Sequence, residues 1–258
     1  MNADSGFVWP QGQRCAVSLT YDDGLPVHYE QVGPLLELEG LRATFYVPAM
    51  SDVQVHPERW RQLARRGHEL GNHSLFHPCT RTTERESWLE PWQDLRTYTL
   101  SRWRDELATA NLILQLLDDQ SIRSFGNTCC ETTVGSGDDE VSMMPVLRKL
   151  FAAARGPFNR RVVDVRQPVN LYELGHFGAD RLTFEEIRDE IEGAAETGGW
   201  IIWMIHGVGE GTHGLCIDEV AHEKVVRWLG SRKTDIWTAP LVKVAQHVAF
   251  QQQGIAVG

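Results

Sequence analysis

Strand-like and helix-like segments alternate along almost the whole chain, and this alternation restricts the fold more than any other feature. Apolar, strand-like segments lie at residues 14–24, 42–49, 68–74, 122–127, 200–209 and 236–241. Helix-like segments lie at residues 28–40, 57–67, 87–118, 140–156, 183–199, 218–233 and 242–254, and Thr183 is the expected N-cap of its helix. Such alternation predicts a parallel sheet with helices outside it.

The segment "WIIWMIHGVG" (200–209) is apolar throughout, as expected for a strand that is covered on both faces. A barrel and an open doubly wound sheet both satisfy this pattern. In either fold the active site forms at the C-terminal ends of the strands. Three polar clusters follow such strands here: Asp22 with Asp23, His73 with His77, and His206.

Length and charge limit the classes of protein to which the chain can belong. Its 258 residues suit a barrel formed as one unit, so a single catalytic domain over residues 1–258 is expected. The formal net charge is −10, whereas a nucleic-acid-binding domain carries a basic surface, so no nucleic-acid partner is predicted. No run of about 18 apolar residues occurs, and no membrane span is predicted.

The N-terminus and the cysteines favour a cytoplasmic protein. The first residues, "MNADSGFVWPQGQRC", have no basic start followed by an apolar stretch, so no secretory signal is predicted. The cysteine count is odd and no C-x-x-C pair occurs, which argues against a disulfide framework or a structural zinc knot. We therefore expect reduced thiols at all five positions: Cys15, Cys79, Cys129, Cys130 and Cys216.

The pair Asp22–Asp23 follows a buried strand in "LTYDDGLP" (19–26). Successive side chains of a strand point in opposite directions, so the two carboxylates cannot perform the same task in the same place. One can bind a metal ion while the other accepts a proton. The sequence Asp-Asp-Gly is also typical of a simple turn, and the dipeptide alone does not decide between these interpretations.

His73 and His77 lie four residues apart in "GNHSLFH" (71–77). This spacing would place both imidazoles on one side of a helical turn, within reach of one cation, although the spacing alone is weak evidence. Two histidines and one aspartate leave a coordination position open for water, which is typical of a catalytic metal site. A metal ion lowers the pKa of such a water molecule, and a second carboxylate can take its proton.

His206 ends the apolar segment "IIWMIH" (201–206), where Ile202, Met204 and His206 share one strand face. A histidine in this position is either packed with a satisfied hydrogen bond or a general acid that protonates a leaving group. Met204 beside it would offer an apolar wall for a small acyl methyl group.

Taken together, the three clusters resemble the polysaccharide deacetylases of carbohydrate esterase family four. The family's first motif, T-F-D-D-G, corresponds to Thr20–Gly24, which reads T-Y-D-D-G. Its second motif, H-S/T-x-x-H, corresponds to His73–His77, and its last motif, L-x-H, corresponds to Met204–His206. The resemblance extends over residues 15 to about 210 and is closest to the intracellular branch, whose members act on smaller or activated sugars.

The resemblance implies a deformed (β/α) barrel with seven strands and a role for each motif residue. Asp22 would be the general base, and His206 the general acid. Asp23, His73 and His77 would bind a divalent metal ion, usually zinc. The metal ion and a backbone N–H would hold the oxyanion of the tetrahedral intermediate.

The chain departs from the family at the third motif, which normally supplies an arginine that orients the base, followed by Pro-Tyr. The segment matched to this motif, "IRSFGNTCCETTVG" (122–135), lacks Pro-Tyr, and Asn127 or Cys129 takes the usual polar position. Arg123 or Arg155 is therefore expected to replace the missing arginine and pair with Asp22. The fourth motif is not recognisable.

The predicted function is metal-dependent removal of acetyl groups from an N-acetylated sugar or polysaccharide. Arg155, Met204, Trp237 and Asn127 are the predicted substrate-contacting residues, Trp237 because it lies near a strand end and could stack on a sugar ring. Two alternatives stay open: hydrolysis of an O-acetyl ester or another small amide, and carbohydrate binding by a non-catalytic relic of the fold. The sequence predicts no oligomeric state.

Overall fold

The computed structural model describes residues 6–255, which form twelve β-strands and eight α-helices. The strands are β1 Cys15–Tyr21, β2 Thr44–Val47, β3 Glu69–Asn72, β4 Ser124–Phe125, β5 Thr133–Val134, β6 Val141–Ser142, β7 Ala153–Ala154, β8 Phe177–Gly178, β9 Trp200–Ile205, β10 Gly207–Val208, β11 Cys216–Ile217 and β12 Ile236–Thr238. The helices are α1 Gly33–Leu38, α2 Asp52–Val55, α3 Pro57–Arg65, α4 Leu100–Asp118, α5 Met144–Leu150, α6 Phe184–Thr197, α7 Glu219–Ser231 and α8 Leu241–Ile255.

Seven parallel strands form a half-barrel in the order β7-β4-β3-β2-β1-β9-β8, and β12 pairs with the first half of β1. The longest pairing joins β1 to β9 from Ala16–Trp200 to Tyr21–Ile205. Because all these pairings are parallel, the C-terminal strand ends share one edge of the half-barrel. The predicted deformed (β/α)7 barrel is confirmed.

Strand β1 is buried on both faces, and its alternate residues serve two different layers. Cys15, Val17, Leu19 and Tyr21 belong to the larger core cluster, together with apolar residues of α1, α3, α6 and α7. Ala16 instead joins a second cluster with residues of β9 and α8. The alternation follows from the two-residue period of a strand, and it continues into Asp22, whose neighbours on the same face are Ser18 and Thr20.

Several predicted helix boundaries change in the structure. Thr183 does cap α6, in a reciprocal capping box with Glu186. The helix predicted from residue 87 begins only at Leu100, because 3-10 turns and loop occupy the preceding residues. The helix predicted at 140–156 ends at Leu150, and the following residues form β7. No helix within residues 6–255 is at once long and apolar enough to cross a lipid bilayer.

Candidate active site

A cavity of about 810 Å³ opens at the C-terminal ends of β1, β3 and β9. Seven of the nine site residues predicted from the sequence line it: Asp22, Asp23, His73, His77, Asn127, Met204 and His206. Arg155 is buried beside the cavity and contacts Asp22. The parallel arrangement of the strands explains this convergence, since each strand delivers its last residues to the same edge.

Asp23, His73 and His77 form a compact group of oxygen and nitrogen donors. Their ligand atoms all lie within 4.8 Å of one another. Asp23 Oδ1 is 3.4 Å from His73 Nε2 and 3.1 Å from His77 Nε2. His73 Nδ1 donates a hydrogen bond to the carbonyl oxygen of Gly126 at 2.7 Å, so the neutral ring keeps its lone pair on Nε2, facing Asp23.

These donors fit a divalent metal ion. Asp23 Oδ1 is buried, and it has no hydrogen-bond partner in the described part of the chain. Burial alone would raise the pKa of Asp23, but the adjacent His73 and His77 outweigh it and hold the pKa well below its ordinary value. An ionised carboxylate with two imidazoles is a donor set that zinc and similar divalent ions accept, and it leaves positions open for other ligands.

The two histidines do not lie on a helical turn, contrary to the prediction from their spacing. They occupy the loop that follows β3, where Ser74 and His77 have φ angles of 68° and 55°. Asn72 Oδ1 accepts a hydrogen bond from the Ser74 N–H, and Ser74 Oγ accepts one from the His77 N–H. Local side-chain hydrogen bonds of this kind stabilise a turn in place of a helix.

Gly24 allows the first motif to turn sharply away from the sheet. Its φ is +63°, and a Cβ at this position would lie 2.6 Å from Val47 Cγ1. Asp23 before it also has a left-handed backbone, with φ at 74°. This turn directs the Asp23 side chain towards the histidines, while Asp22 remains on the inner face of β1.

Asp22 is paired with Arg155, one of the two arginines expected to take this place. Arg155 donates hydrogen bonds to Asp22 Oδ2 and, at 2.9 Å, to Thr20 Oγ1. Both charged side chains are almost fully buried, and the guanidinium lies over the ring of Tyr46. Burial alone would raise the pKa of Asp22, but the charges of Arg155 and the nearby imidazoles hold it below its ordinary value.

The second oxygen of Asp22, Oδ1, is buried without a hydrogen-bond partner among the described residues. Asp22 therefore combines an ionised state with a free acceptor atom. The other arginine expected as a partner, Arg123, instead bonds Asp118 and the carbonyl oxygens of Leu70 and Gln120, so it supports the loop after α4.

His206 follows β9 and faces an acidic partner that the sequence did not indicate. Its Nδ1 lies 3.1 Å from Oδ2 of Asp180, which comes shortly after β8. Burial alone would lower the pKa of His206, but the hydrogen bond to Asp180 and the charges of Asp22 and Asp23 raise it overall. The backbone is held as well, because buried His28 donates through Nε2 to the carbonyl oxygen of His206 at 2.9 Å.

His213 is a further histidine of the site that the sequence prediction missed. Its ring stacks on that of His206, with centroids 5.3 Å apart, and its Nε2 lies 3.5 Å from Asp23 Oδ2. It comes from the loop between β10 and β11, two short strands that the apolar pattern did not reveal. The only sequence signal was its position seven residues after His206.

Aromatic side chains line the cavity on the side of the loop that precedes α4. Trp88 and Trp92 line it and are about half exposed. The ring centroids of Trp88 and His77 are 6.0 Å apart, and Trp92 packs edge-on against Phe76. The sequence prediction placed both tryptophans at the start of a long helix, which concealed their role as cavity-lining residues.

Trp237 is not in the cavity. It belongs to β12, pairs with Ala16 near the start of β1, and packs against Trp9 and His247. The prediction of a substrate contact failed because β12 meets only the N-terminal half of β1, away from the strand ends that form the site.

The prediction of reduced cysteines fails for one pair: Cys79 and Cys129 form a disulfide. Cys79 follows the loop of His73 and His77, and Cys129 lines the cavity from the loop after β4. The expectation failed because the two residues lie 50 positions apart and meet only through the parallel order of β3 and β4. The expected cytoplasmic location stays a prediction, and disulfides are typical of oxidising compartments.

An arginine-proline-aromatic pattern typical of the third motif occurs outside residues 122–135, the segment that the sequence analysis matched to it. Residues 155–158 read Arg-Gly-Pro-Phe and follow β7, so an arginine, a proline and an aromatic residue are present at the end of the strand that neighbours β4 in the sheet. Asn127, from the segment first matched, lines the cavity, and its Nδ2 donates to the carbonyl oxygen of Glu131 at 2.6 Å. The Arg-x-Pro-aromatic pattern was the signal that could have located Arg155.

Comparisons with known proteins agree with these motifs. Residues 11–126 match the family model for polysaccharide deacetylases. A curated gellan lyase from Bacillus sp. is 26% identical over 149 residues, which are 58% of this chain and only 5% of that much longer protein.

Solved structures share the fold over nearly the whole chain. A Mycobacterium smegmatis protein assigned to the polysaccharide deacetylases is 17% identical, with a TM-score of 0.59, and the match covers 96% of this chain and 94% of that one. A family 4 acetyl xylan esterase from Clostridium thermocellum, in complex with a cobalt ion, is 20% identical, with a TM-score of 0.56 and coverages of 93% and 92%. The peptidoglycan deacetylase PdaC from Bacillus subtilis is 17% identical, with a TM-score of 0.54 and coverages of 96% and 98%.

Proposed function

We propose that this protein is a metal-dependent hydrolase that removes acetyl groups from an N-acetylated sugar. The premise is its family, because the chain belongs to the polysaccharide deacetylase superfamily. One observation carries the proposal. Asp23, His73 and His77 present ligand atoms within 4.8 Å of one another, and Asp22 and His206 line the same cavity.

Asp23, His73 and His77 would hold the divalent ion, and their oxygen and nitrogen donors favour zinc. When bound there, such an ion supplies Lewis acidity: it polarises the acetyl carbonyl group and makes water a stronger acid. The protein's own contribution is to fix the three donors. The hydrogen bond from His73 to Gly126 and the turn at Ser74 supply that rigidity.

Asp22 is the proposed general base. Its Oδ1 is free to accept a proton from the attacking water, while Oδ2 is held by Arg155. The ion pair with Arg155 keeps Asp22 ionised in a buried place, where it would otherwise take up a proton. Arg155 is thus a positioning residue, and it has no place in the cavity lining itself.

His206 is the proposed general acid. Asp180 raises the pKa of His206 and orients its ring through Nδ1, so Nε2 carries the proton that is transferred. Protonation of the departing nitrogen is essential in amide hydrolysis, because an amine anion is a very poor leaving group.

The cavity wall offers contacts for an acetylated sugar. Met204, beside His206, provides an apolar surface for the acetyl methyl group, and Asn127 has a buried Oδ1 without a partner among the described residues. Trp88 and Trp92 present exposed ring surface at the same cavity, which suits stacking against the apolar face of a sugar ring.

Hydrolysis of an O-acetyl ester is the second candidate function. The similarity of fold to an acetyl xylan esterase favours it, since an ester site needs the same metal and base. The leaving group differs, because an alkoxide requires protonation far less than an amine does. A non-catalytic relic of the fold is the third interpretation, and turnover of any acetylated sugar would exclude it.

Acetate release from a panel of N-acetylated and O-acetylated sugars tests the proposal, with protein stripped by a chelator and then reloaded with zinc, cobalt or no metal. We expect metal-dependent release from N-acetylated sugars. His206→Ala should nearly abolish this reaction but retain measurable cleavage of an activated acetyl ester, whereas Asp22→Ala should impair both.

His247→Ala is a matched control, because this histidine packs against Trp9 and Trp237 outside the cavity. It should retain both activities. Equal loss of both activities in His206→Ala, with metal bound and fold intact, would contradict the role as acid. Release of acetate from O-acetylated sugars alone would favour the second candidate.

A further inference from the structure

We propose that Cys79 and Cys129, once their disulfide is reduced, form with His77 a second metal site for a thiophilic divalent cation of the Zn²⁺ class. This site would lie directly beside the group formed by Asp23, His73 and His77. It would make occupancy of the candidate catalytic site depend on the redox state of one cysteine pair.

The geometry of the three residues carries the inference. One ligand atom from each of His77, Cys79 and Cys129 lies within 4.8 Å of the other two. Cys79 Sγ is 3.7 Å from His77 Nδ1, and the two cysteine Cα atoms are 5.9 Å apart. Two thiolates and one imidazole are a donor set that favours zinc over magnesium or calcium, and they leave a position for a fourth ligand.

The two cysteines would stay close after reduction, because the disulfide is not the only link between their loops. The Thr128 hydroxyl donates a buried hydrogen bond to the carbonyl oxygen of Pro78, beside Cys79. Leu95 connects the two segments as well, because its N–H donates to the carbonyl oxygen of Cys79 at 3.0 Å and its carbonyl oxygen accepts from the N–H of Gly135, which follows Cys129 along the chain, at 3.0 Å. The thiols are therefore held near each other by neighbouring residues of both loops.

His77 lies between the two sites and can serve only one of them at a time. Its Nε2 faces Asp23 Oδ1 at 3.1 Å, whereas its Nδ1 faces Cys79 Sγ at 3.7 Å. A neutral imidazole has a lone pair on one nitrogen only. Ligation through Nδ1 would leave the proton on Nε2, so the thiolate site would withdraw one ligand from the site of Asp23 and His73.

Reduction by a water-soluble phosphine is a balanced reaction. The phosphorus atom attacks one sulfur and the S–S bond breaks. Water then supplies the oxygen of the phosphine oxide, and its two hydrogens end on the two thiols. Binding of a divalent cation displaces the two thiol protons into solvent.

Cobalt titration tests the proposal, because thiolate ligation of Co²⁺ produces a sulfur-to-cobalt charge-transfer absorption that oxygen and nitrogen ligands do not. The full protein is titrated with Co²⁺ as isolated in the oxidised state, and after phosphine reduction and desalting without oxygen. We expect the charge-transfer absorption in the reduced protein only. Cys79→Ser and Cys129→Ser should each lose most of it.

Cys130→Ser is the matched control, since Cys130 is adjacent to Cys129, has a free thiol and lines the same cavity. It should retain the absorption. Loss of the absorption in Cys130→Ser would overturn the assignment of ligands. If the reduced wild-type protein lacks the absorption and binds Co²⁺ only at the Asp23 group, the proposed thiolate site is refuted. The disulfide would then be only a structural link.

A measurement on the wild-type protein tests the same site without substitutions, so it does not depend on whether a variant folds. Alkylation of the reduced protein, followed by mass spectrometry, reports each thiol separately. Zn²⁺ should slow the alkylation of Cys79 and Cys129 several-fold and leave that of Cys130 unchanged. Equal rates with and without Zn²⁺ at Cys79 and Cys129 would refute the site.

Discussion

Replacement of Arg155 by methionine should destabilise the protein in a way that depends on pH. In the wild-type protein Arg155 neutralises Asp22, and the exposed fractions of the two side chains are 1% and 3%. Methionine keeps much of the side-chain volume but leaves the carboxylate buried without its cation. The variant also loses the hydrogen bond to Thr20 and the contact with the ring of Tyr46.

The expected loss is about 3–5 kcal/mol in the free energy of unfolding at pH 7, the range observed when one partner of a buried ion pair is removed. The pH dependence follows from the pKa of Asp22. In the wild-type protein that pKa is lowered. The stability from the pair is therefore fully present above the unfolded-state pKa of about 3.9, and it is lost as the pH falls through the folded-state pKa.

In the Arg155→Met variant, burial should instead raise the pKa of Asp22 above the unfolded-state value. The variant then gains stability relative to the wild-type protein as the pH falls and Asp22 takes up a proton. Urea unfolding with a chelator present, followed by tryptophan fluorescence at pH 7 and pH 5, measures this difference. A loss below about 1 kcal/mol, or the same loss at both pH values, would refute the reasoning.

A double-mutant cycle provides the control. Asp22→Asn combined with Arg155→Met should be far less destabilised than the sum of the single variants, because the pair is then removed as a unit. Arg123→Met removes another buried arginine, paired with Asp118 instead. The change in the free energy of unfolding caused by Arg123→Met should add to that caused by Asp22→Asn. A strong coupling energy between these two substitutions would contradict the assignment of Arg155 as the partner of Asp22.

Three other outcomes are expected from the site. His77→Ala should lose most of its bound divalent metal by elemental analysis, and full occupancy would contradict its role as a ligand. Asp180→Asn should lower the pKa of His206, so the basic limb of the pH–activity profile should move to lower pH; an unchanged limb would contradict the pairing. Trp88→Ala should raise the KM for acetylated oligosaccharides about two- to tenfold at similar kcat, and a loss confined to kcat would argue against a stacking role.

The fold was predictable from the sequence because its long, apolar strands carry a strong signal. β1 and β9 form the longest pairing of the sheet, and both were recognised from continuous apolar runs. The two-residue strands β7 and β8 left no comparable pattern, since two residues are too few to show a period, and β4 is shorter than the strand expected at residues 122–127. Because β7 was not predicted, the Arg-x-Pro-aromatic pattern that follows it was not considered as the third motif.

The site was predictable where a motif lies directly on a strand end. Asp22, Asp23, His73 and His206 each follow β1, β3 or β9 within two residues. Residues that reach the cavity from long loops were not predicted, because their approach depends on packing between distant segments. Trp88 and His213 are of this kind, and so is the disulfide partner of Cys79. Asp180 was missed for another reason: it follows β8, a two-residue strand that the sequence did not show.

The charges of the two adjacent aspartates explain why the first motif contains both. They end the same strand and are directed to different partners, so each meets a separate source of positive charge. Asp22 has a permanent one in Arg155. Within residues 6–255 the ion-pair partners of Asp23 are the imidazoles of His73, His77 and His213, and none is a lysine or arginine.

An imidazole compensates a carboxylate only when it is protonated, and His73 already commits its Nδ1–H to Gly126. If protonated imidazoles balanced the negative charge of Asp23, the Nε2 atoms that face the cavity would carry the protons. Those atoms could then not bind a metal ion. A divalent cation compensates the same charge while both imidazoles stay neutral and act as donors. On this argument the arginine keeps the base ionised, and the charge of Asp23 is reserved for the metal ion.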